Sequence, residues 1–97
     1  MTVPPRVLLA AFDETPVLAE VARALRDEGI EVIYAGVLET AEEVVSAAEQ
    51  EDPAVIAVSP SAPEVALDGV EVVGFRTVQE GVDRVKMATG ARSRARR

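Results

Sequence analysis

The chain has 97 residues, enough for one domain and too few for two. Apolar residues make up 48% and charged residues 28%, a globular balance, and no apolar run approaches the roughly 18 residues that span a bilayer. There is no Cys and no His, which excludes disulfides, thiolate nucleophiles, Ser-His or Cys-His catalysis, and any imidazole ligand to a metal.

The formal charge is -7, and it is unevenly placed. Four of the ten basic residues are Arg92, Arg94, Arg96 and Arg97, so residues 1–91 carry 6 basic and 17 acidic side chains, or -11. A body this acidic repels nucleic-acid phosphate, and Phe12, Tyr34 and Phe75 are too few to build a base-stacking platform. Nucleic acid is therefore an unexpected partner, the Arg tail apart. Residues 1–91 are expected to form one domain and 92–97 a disordered basic tail. The N-terminus carries no signal-peptide pattern and no membrane partner is implied, so a cytoplasmic protein is expected. With few aromatics, the core must come from Val, Ala, Leu and Ile, which predicts a small core of modest stability.

Arg6–Phe12 is a continuous apolar run, which suits a strand buried on both faces of a parallel sheet. Thr15 is placed to cap a helix that has Pro16 at its first position, where no N–H is needed. Val17, Leu18, Val21, Ala22, Ala24 and Leu25 form its apolar face, and Gly29 is its stop. Ile30–Tyr34 reads as a second strand ended by Ala35-Gly36. Thr40 and Glu43 form a capping box for a helix reaching about Glu51, and Pro53 prevents its extension. Ala54–Val58 is a third buried strand ending at Ser59-Pro60-Ser61. Pro63–Leu67 fits either a short helix, which is preferred, or a hairpin with Val70–Val73 across Asp68-Gly69. Val70–Gly74 is the fourth strand. Thr77 and Glu80 form a second capping box for a helix to about Met87, and Gly90 ends the ordered part.

This alternation predicts an α/β fold, a small Rossmann-like or flavodoxin-like parallel sheet of about four strands with helices on both faces. Right-handed crossovers give the strand order 2-1-3-4. Ligands of such sheets sit beyond the carboxyl ends of the strands, where the order reverses. The residues brought to that edge are Asp13 and Thr15 after strand 1, Ser59 and Ser61 after strand 3, and Gly74 and Thr77 after strand 4. These six are the candidate ligand-binding residues; no metal ligand and no catalytic residue is assigned. Thr15 and Thr77 are also explained as helix caps, and Asp13 as a complement to a helix dipole. There is no GxGxxG after strand 1, no Walker lysine, and Ser59 stands where a phosphoacceptor receiver needs Asp.

Several stretches carry a family resemblance. They are Arg6–Ala10, Leu25–Val32, Gly36–Val44 (Gly-Val-Leu-Glu-Thr-Ala-Glu-Glu-Val), Ala47-Ala48 with Val55–Ser59, and Gly69–Thr77. Together they resemble the cobalamin (B12)-binding domain found at the C-terminus of methylmalonyl-CoA mutase and as the small subunit of glutamate mutase. The resemblance implies an Asp-x-His-x-x-Gly motif after strand 1, whose His ligates cobalt. Here Asp13 matches the Asp, but Thr15 stands where the His would be and Leu18 where the Gly would be. With no His in the chain, His-on cobalamin binding is impossible. The family's glycine pair after its penultimate strand is missing, as is about one helix and one strand between Ser61 and Val70. Ser59, Ser61, Gly74 and Thr77 are what carries over.

Two functions follow. One is a degenerate cobalamin-binding-like domain that acts through protein contacts, as a homodimer or beside a mutase-like catalytic subunit. The shortened sheet supports it, because a lost helix-strand pair leaves apolar surface or an edge for a partner to cover. The other is a protein that binds cobalamin without His ligation, or another nucleotide-like ligand, at the strand ends. Asp13 and Glu14 are adjacent carboxylates rather than an opposed acid and base, so independent catalysis is not expected. Within an enzyme the chain would be a subunit of a mutase, an isomerase.

Overall fold

A computed structural model describes residues 5–60 and 65–91. Ser61, the first part of the 63–67 segment, and the Arg tail lie outside the described residues.

The elements are β1 (Arg6–Ala11), α1 (Val17–Asp27), β2 (Glu31–Val37), α2 (Ala41–Glu51), β3 (Val55–Ser59), β4 (Glu71–Gly74) and α3 (Val78–Lys86), followed by a π-helical turn, Met87–Ala91. All strand pairs of the sheet are parallel and the order is β2-β1-β3-β4, as the alternation predicts. β1 and β3 are central, and both are buried along nearly their whole length, which is why they read as unbroken apolar runs.

Side chains alternate between two cores. Val7, Leu9, Ala11, Val55 and Ala57 face α1 and α3, joined by Leu18, Val21, Leu25, Phe75 and Val85. Leu8, Ala10, Ile56 and Val58 face α2, joined by Val44, Ala48 and Val65. The helices thus cover both faces, two on one side and one on the other.

α1 ends as Gly29 predicts. Gly29 has φ +84°, its N–H donates to the Arg26 carbonyl at 3.0 Å, and the Ile30 N–H donates to the Leu25 carbonyl at 3.1 Å. This is a Schellman stop, closed by the apolar contact of Ile30 and Leu25 within one core. At the amino edge of the sheet, Arg6 donates to the Glu51 carbonyl at 2.6 Å and pairs with the Glu31 and Glu51 carboxylates. It thereby supplies the cation that the last turn of α2 lacks.

Two expectations need correction. β2 does not stop at Ala35-Gly36. The strand runs on to Val37 through a bulge, with Leu9 opposite Tyr34 and Ala10 opposite Gly36, so that Ala35 is the extra residue. Gly36 has φ +82° and absorbs the kink. The short helix at 63–67 is also not what the described residues form. Leu67 bridges to Val70 in antiparallel fashion across Asp68-Gly69, the Val70 N–H donates to the Leu67 carbonyl at 3.1 Å, and Gly69 has φ +82°. The turn chemistry of Asp68-Gly69 sets the described part of this segment.

Candidate functional site

The carboxyl ends of β1, β3 and β4 meet at one edge. Ala11 pairs with Ser59 and Val58 with Gly74, and the Phe12 N–H donates to the Ser59 carbonyl at 3.0 Å. Ser59 is therefore central, buried, and linked to Pro60 by a cis peptide bond. The Phe75 N–H donates to the Val58 carbonyl at 3.1 Å, which turns the chain across the end of β3 and drives the Phe75 ring fully into the α1–α3 core. Ser59 and Gly74 are the two candidates that the sheet itself brings side by side. Asp13 follows β1 by two residues and is exposed; Ser61 lies outside the described residues.

The two candidate threonines each accept one backbone hydrogen bond at a helix start. The Thr15 hydroxyl accepts from the Val17 N–H at 3.2 Å, so it caps α1 from one residue before Pro16, whose backbone is already helical at φ -70°, ψ -15°. The Thr77 hydroxyl accepts from the Glu80 N–H at 3.1 Å. α2 begins in the same way, with the Thr40 hydroxyl accepting from the Glu43 N–H at 3.1 Å. In both capping boxes the returning carboxylate reaches one residue further out than the standard motif. Glu80 accepts from the Arg76 N–H at 2.8 Å and Glu43 from the Glu39 N–H at 2.7 Å. The hydrogen bond from the Arg76 backbone, helped by the Arg84 charge, holds the Glu80 carboxyl below its ordinary pKa.

Sequence reasoning missed Arg84. From α3 it donates to the Gly74 carbonyl at 2.7 Å and pairs with Glu80 at 3.9 Å. The β4–α3 loop is thereby tied at both ends, Gly74 through Arg84 and Arg76 through Glu80. Nothing in the sequence near Gly74 signals a partner ten residues on. The missed Gly81 did leave a signal, a glycine on the apolar face of an otherwise regular helix.

Where the family motif implies His and Gly, this chain has a helix cap and a core residue. The Thr15 hydroxyl is used on Val17, and Leu18 is only 1% exposed, packed with Val21, Ala22 and Leu25. No buried side-chain polar atom among the described residues lacks a hydrogen-bond partner, so none is left waiting for a ligand. Among the same residues no group of three or more acidic side chains could hold a metal ion, and no helix is long and apolar enough to cross a membrane. The residues present do not fit a cobalt-ligating site.

The chain matches the family model of the B12 binding domain over residues 10–90. It is also 46% identical, over 63 residues, to the 2-hydroxyisobutanoyl-CoA mutase small subunit of Aquincola tertiaricarbonis, a match covering 65% of this chain and 42% of that protein. The chain thus spans less than half the length of that curated relative. The strand order, the capped helices and the match across nearly all of the sheet together make this chain a member of the B12-binding domain family.

Proposed function

We propose that this chain is a non-catalytic, small-subunit-type member of the family, acting through contact with a mutase-like catalytic chain rather than as a His-on cobalamin carrier. The observation that carries the proposal is Thr15. At the family's cobalt-ligating position stands a hydroxyl rather than an imidazole, and it accepts from the Val17 N–H at the start of α1. Similarity to a mutase small subunit supports a catalytic chain as partner. The described residues act as one domain, and the setting is cytoplasmic.

The test is co-expression with a cobalamin-dependent mutase catalytic chain of the same organism, followed by size exclusion with light scattering. Stable co-elution supports the proposal. Elution of the two chains apart, or a self-associated species well above 10.3 kDa that excludes the catalytic chain, contradicts it.

A second reading has its own support. Ser59, buried at the end of the central strand, and Gly74 beside it keep the geometry of a strand-end ligand edge. On that reading the chain holds cobalamin without a protein ligand to cobalt, or another nucleotide-like molecule.

A further inference from the structure

The two faces of the sheet are covered unequally. On one, α1 packs over β1 and β2, and α3 over β3 and β4. That core has twelve buried apolar residues and six partly buried ones among the described residues. On the other face α2 stands over β1 and β2, and the only cover described beside β3 and β4 is the Leu67–Val70 turn. Here seven residues are buried and ten are only partly so. Leu67, Val70 and Val72 on the turn and β4, and Val45 on one flank of α2, remain half open. Among the described residues no helix lies opposite the place that α3 occupies.

The described charges at the rim of this gap are acidic, and the sequence between Arg26 and Arg76 has no Lys or Arg. Glu42 and Glu49 on α2 and Asp68 on the turn are exposed. Arg6, at the amino edge, is already bound to Glu31 and Glu51. The other cations of the ordered elements, Arg23, Arg26, Arg84 and Lys86, belong to α1 and α3.

We infer that the half-covered face between α2 and the Leu67–Val72 segment is a docking surface for a basic amphipathic helix of a partner protein. A helix fits because the space lies beside α2 over parallel strands, as α3 lies beside α1 on the opposite face. An apolar stripe would complete the core around Leu67, Val70 and Val72, and Lys or Arg on its flanks would meet the Glu42, Glu49 and Asp68 side chains. A second copy is the poorer occupant. A two-fold pairing of this face would set one purely acidic rim against another. The inference rests on the subunit reading, and it names the chemistry of the contact.

The test uses a synthetic peptide of about 14 residues, with Leu and Lys at helical spacing, roughly 21 Å long as a helix. Binding is followed by calorimetry and by amide chemical shifts. The expected result is saturable binding that perturbs Val45, Leu67, Val70 and Val72 and weakens with salt. Replacing the peptide's Lys by Glu, or its Leu by Ser, should weaken binding at least about tenfold. The E42K/E49K variant, altered only at exposed positions, should bind at least about fivefold more weakly while staying folded by circular dichroism, with a slightly lower melting temperature because E42K puts a cation in the first turn of α2. Absence of saturable binding, shifts centred on α1 and α3, equal binding of the Glu peptide, or an unaffected E42K/E49K variant would each overturn the inference. Co-elution with a catalytic chain is scored separately, so failure of the docking face and failure of the subunit reading are told apart.

Discussion

The backbone of Gly81 in α3 lies against the side chain of Val21 in α1. A β-carbon built at Gly81 would come within 3.0 Å of Val21 Cγ2 and 3.1 Å of Phe75 Cδ2. Both neighbours are fully buried, so neither can yield cheaply. The missing side chain lets α1 and α3 approach closely over the Phe75 ring. Gly81→Ala gains about 1 kcal/mol of helix propensity and incurs about 1–3 kcal/mol of overpacking. The net expectation is a loss of about 1 kcal/mol, or a melting temperature lower by about 4–8 °C. Gly81→Leu should cost more. Val21→Ala combined with Gly81→Ala should lose less than the sum of the two single changes, which a double-mutant cycle of thermal melts would measure.

Thr15 is a structural residue in this account. Thr15→Ala removes the cap on Val17 and should cost about 1 kcal/mol, while Thr15→Ser should cost little. Denaturant melts of the two variants check this. An Ala variant as stable as the parent would release the Thr15 hydroxyl from its assigned role.

Glu80 gives the fold a pH signature. Its carboxyl, held below the ordinary value of 4.5 chiefly by the Arg76 N–H, is depressed in the folded state. The stabilisation is therefore complete above the unfolded pKa and lost as pH falls through the lower folded value. Glu80→Gln should melt below the parent at neutral pH, and the gap should close as pH falls below the ordinary carboxyl range. Because the group is exposed, the gap should be small. A gap that widens on acidification would reverse the assignment.

Much of this architecture is legible in the sequence because its signals are local and redundant. Thr40 with Glu43 and Thr77 with Glu80 mark helix starts, Gly29 marks a stop, and two unbroken apolar runs mark the central strands. Given alternating elements, right-handed crossovers leave a handful of strand orders, and helices on both faces favour 2-1-3-4. The failures come from residues with two possible roles. Gly36 fits a strand end and a bulge equally well, and only pairing with Ala10 decides. Asp68-Gly69 competes with Pro63, and the outcome depends on Leu67 and Val70 packing against β4's neighbours. At the strand ends, the predicted strand order brings Ser59 and Gly74 onto neighbouring strands, with Gly74 paired to Val58. It could not show that Arg84 holds the Gly74 carbonyl, a contact made only once α3 folds back.

The central claim is that Thr15 and Leu18 have turned a cobalt-ligating position into a helix start, and the most direct test is spectroscopic. The purified protein is titrated with hydroxocobalamin and with adenosylcobalamin, desalted, and its visible spectrum recorded. The account predicts that the corrinoid absorbance is removed by desalting, both for the parent and for Thr15→Ala. Stoichiometric colour that stays with the parent protein would contradict it, and would make this chain a cobalamin carrier that works without histidine.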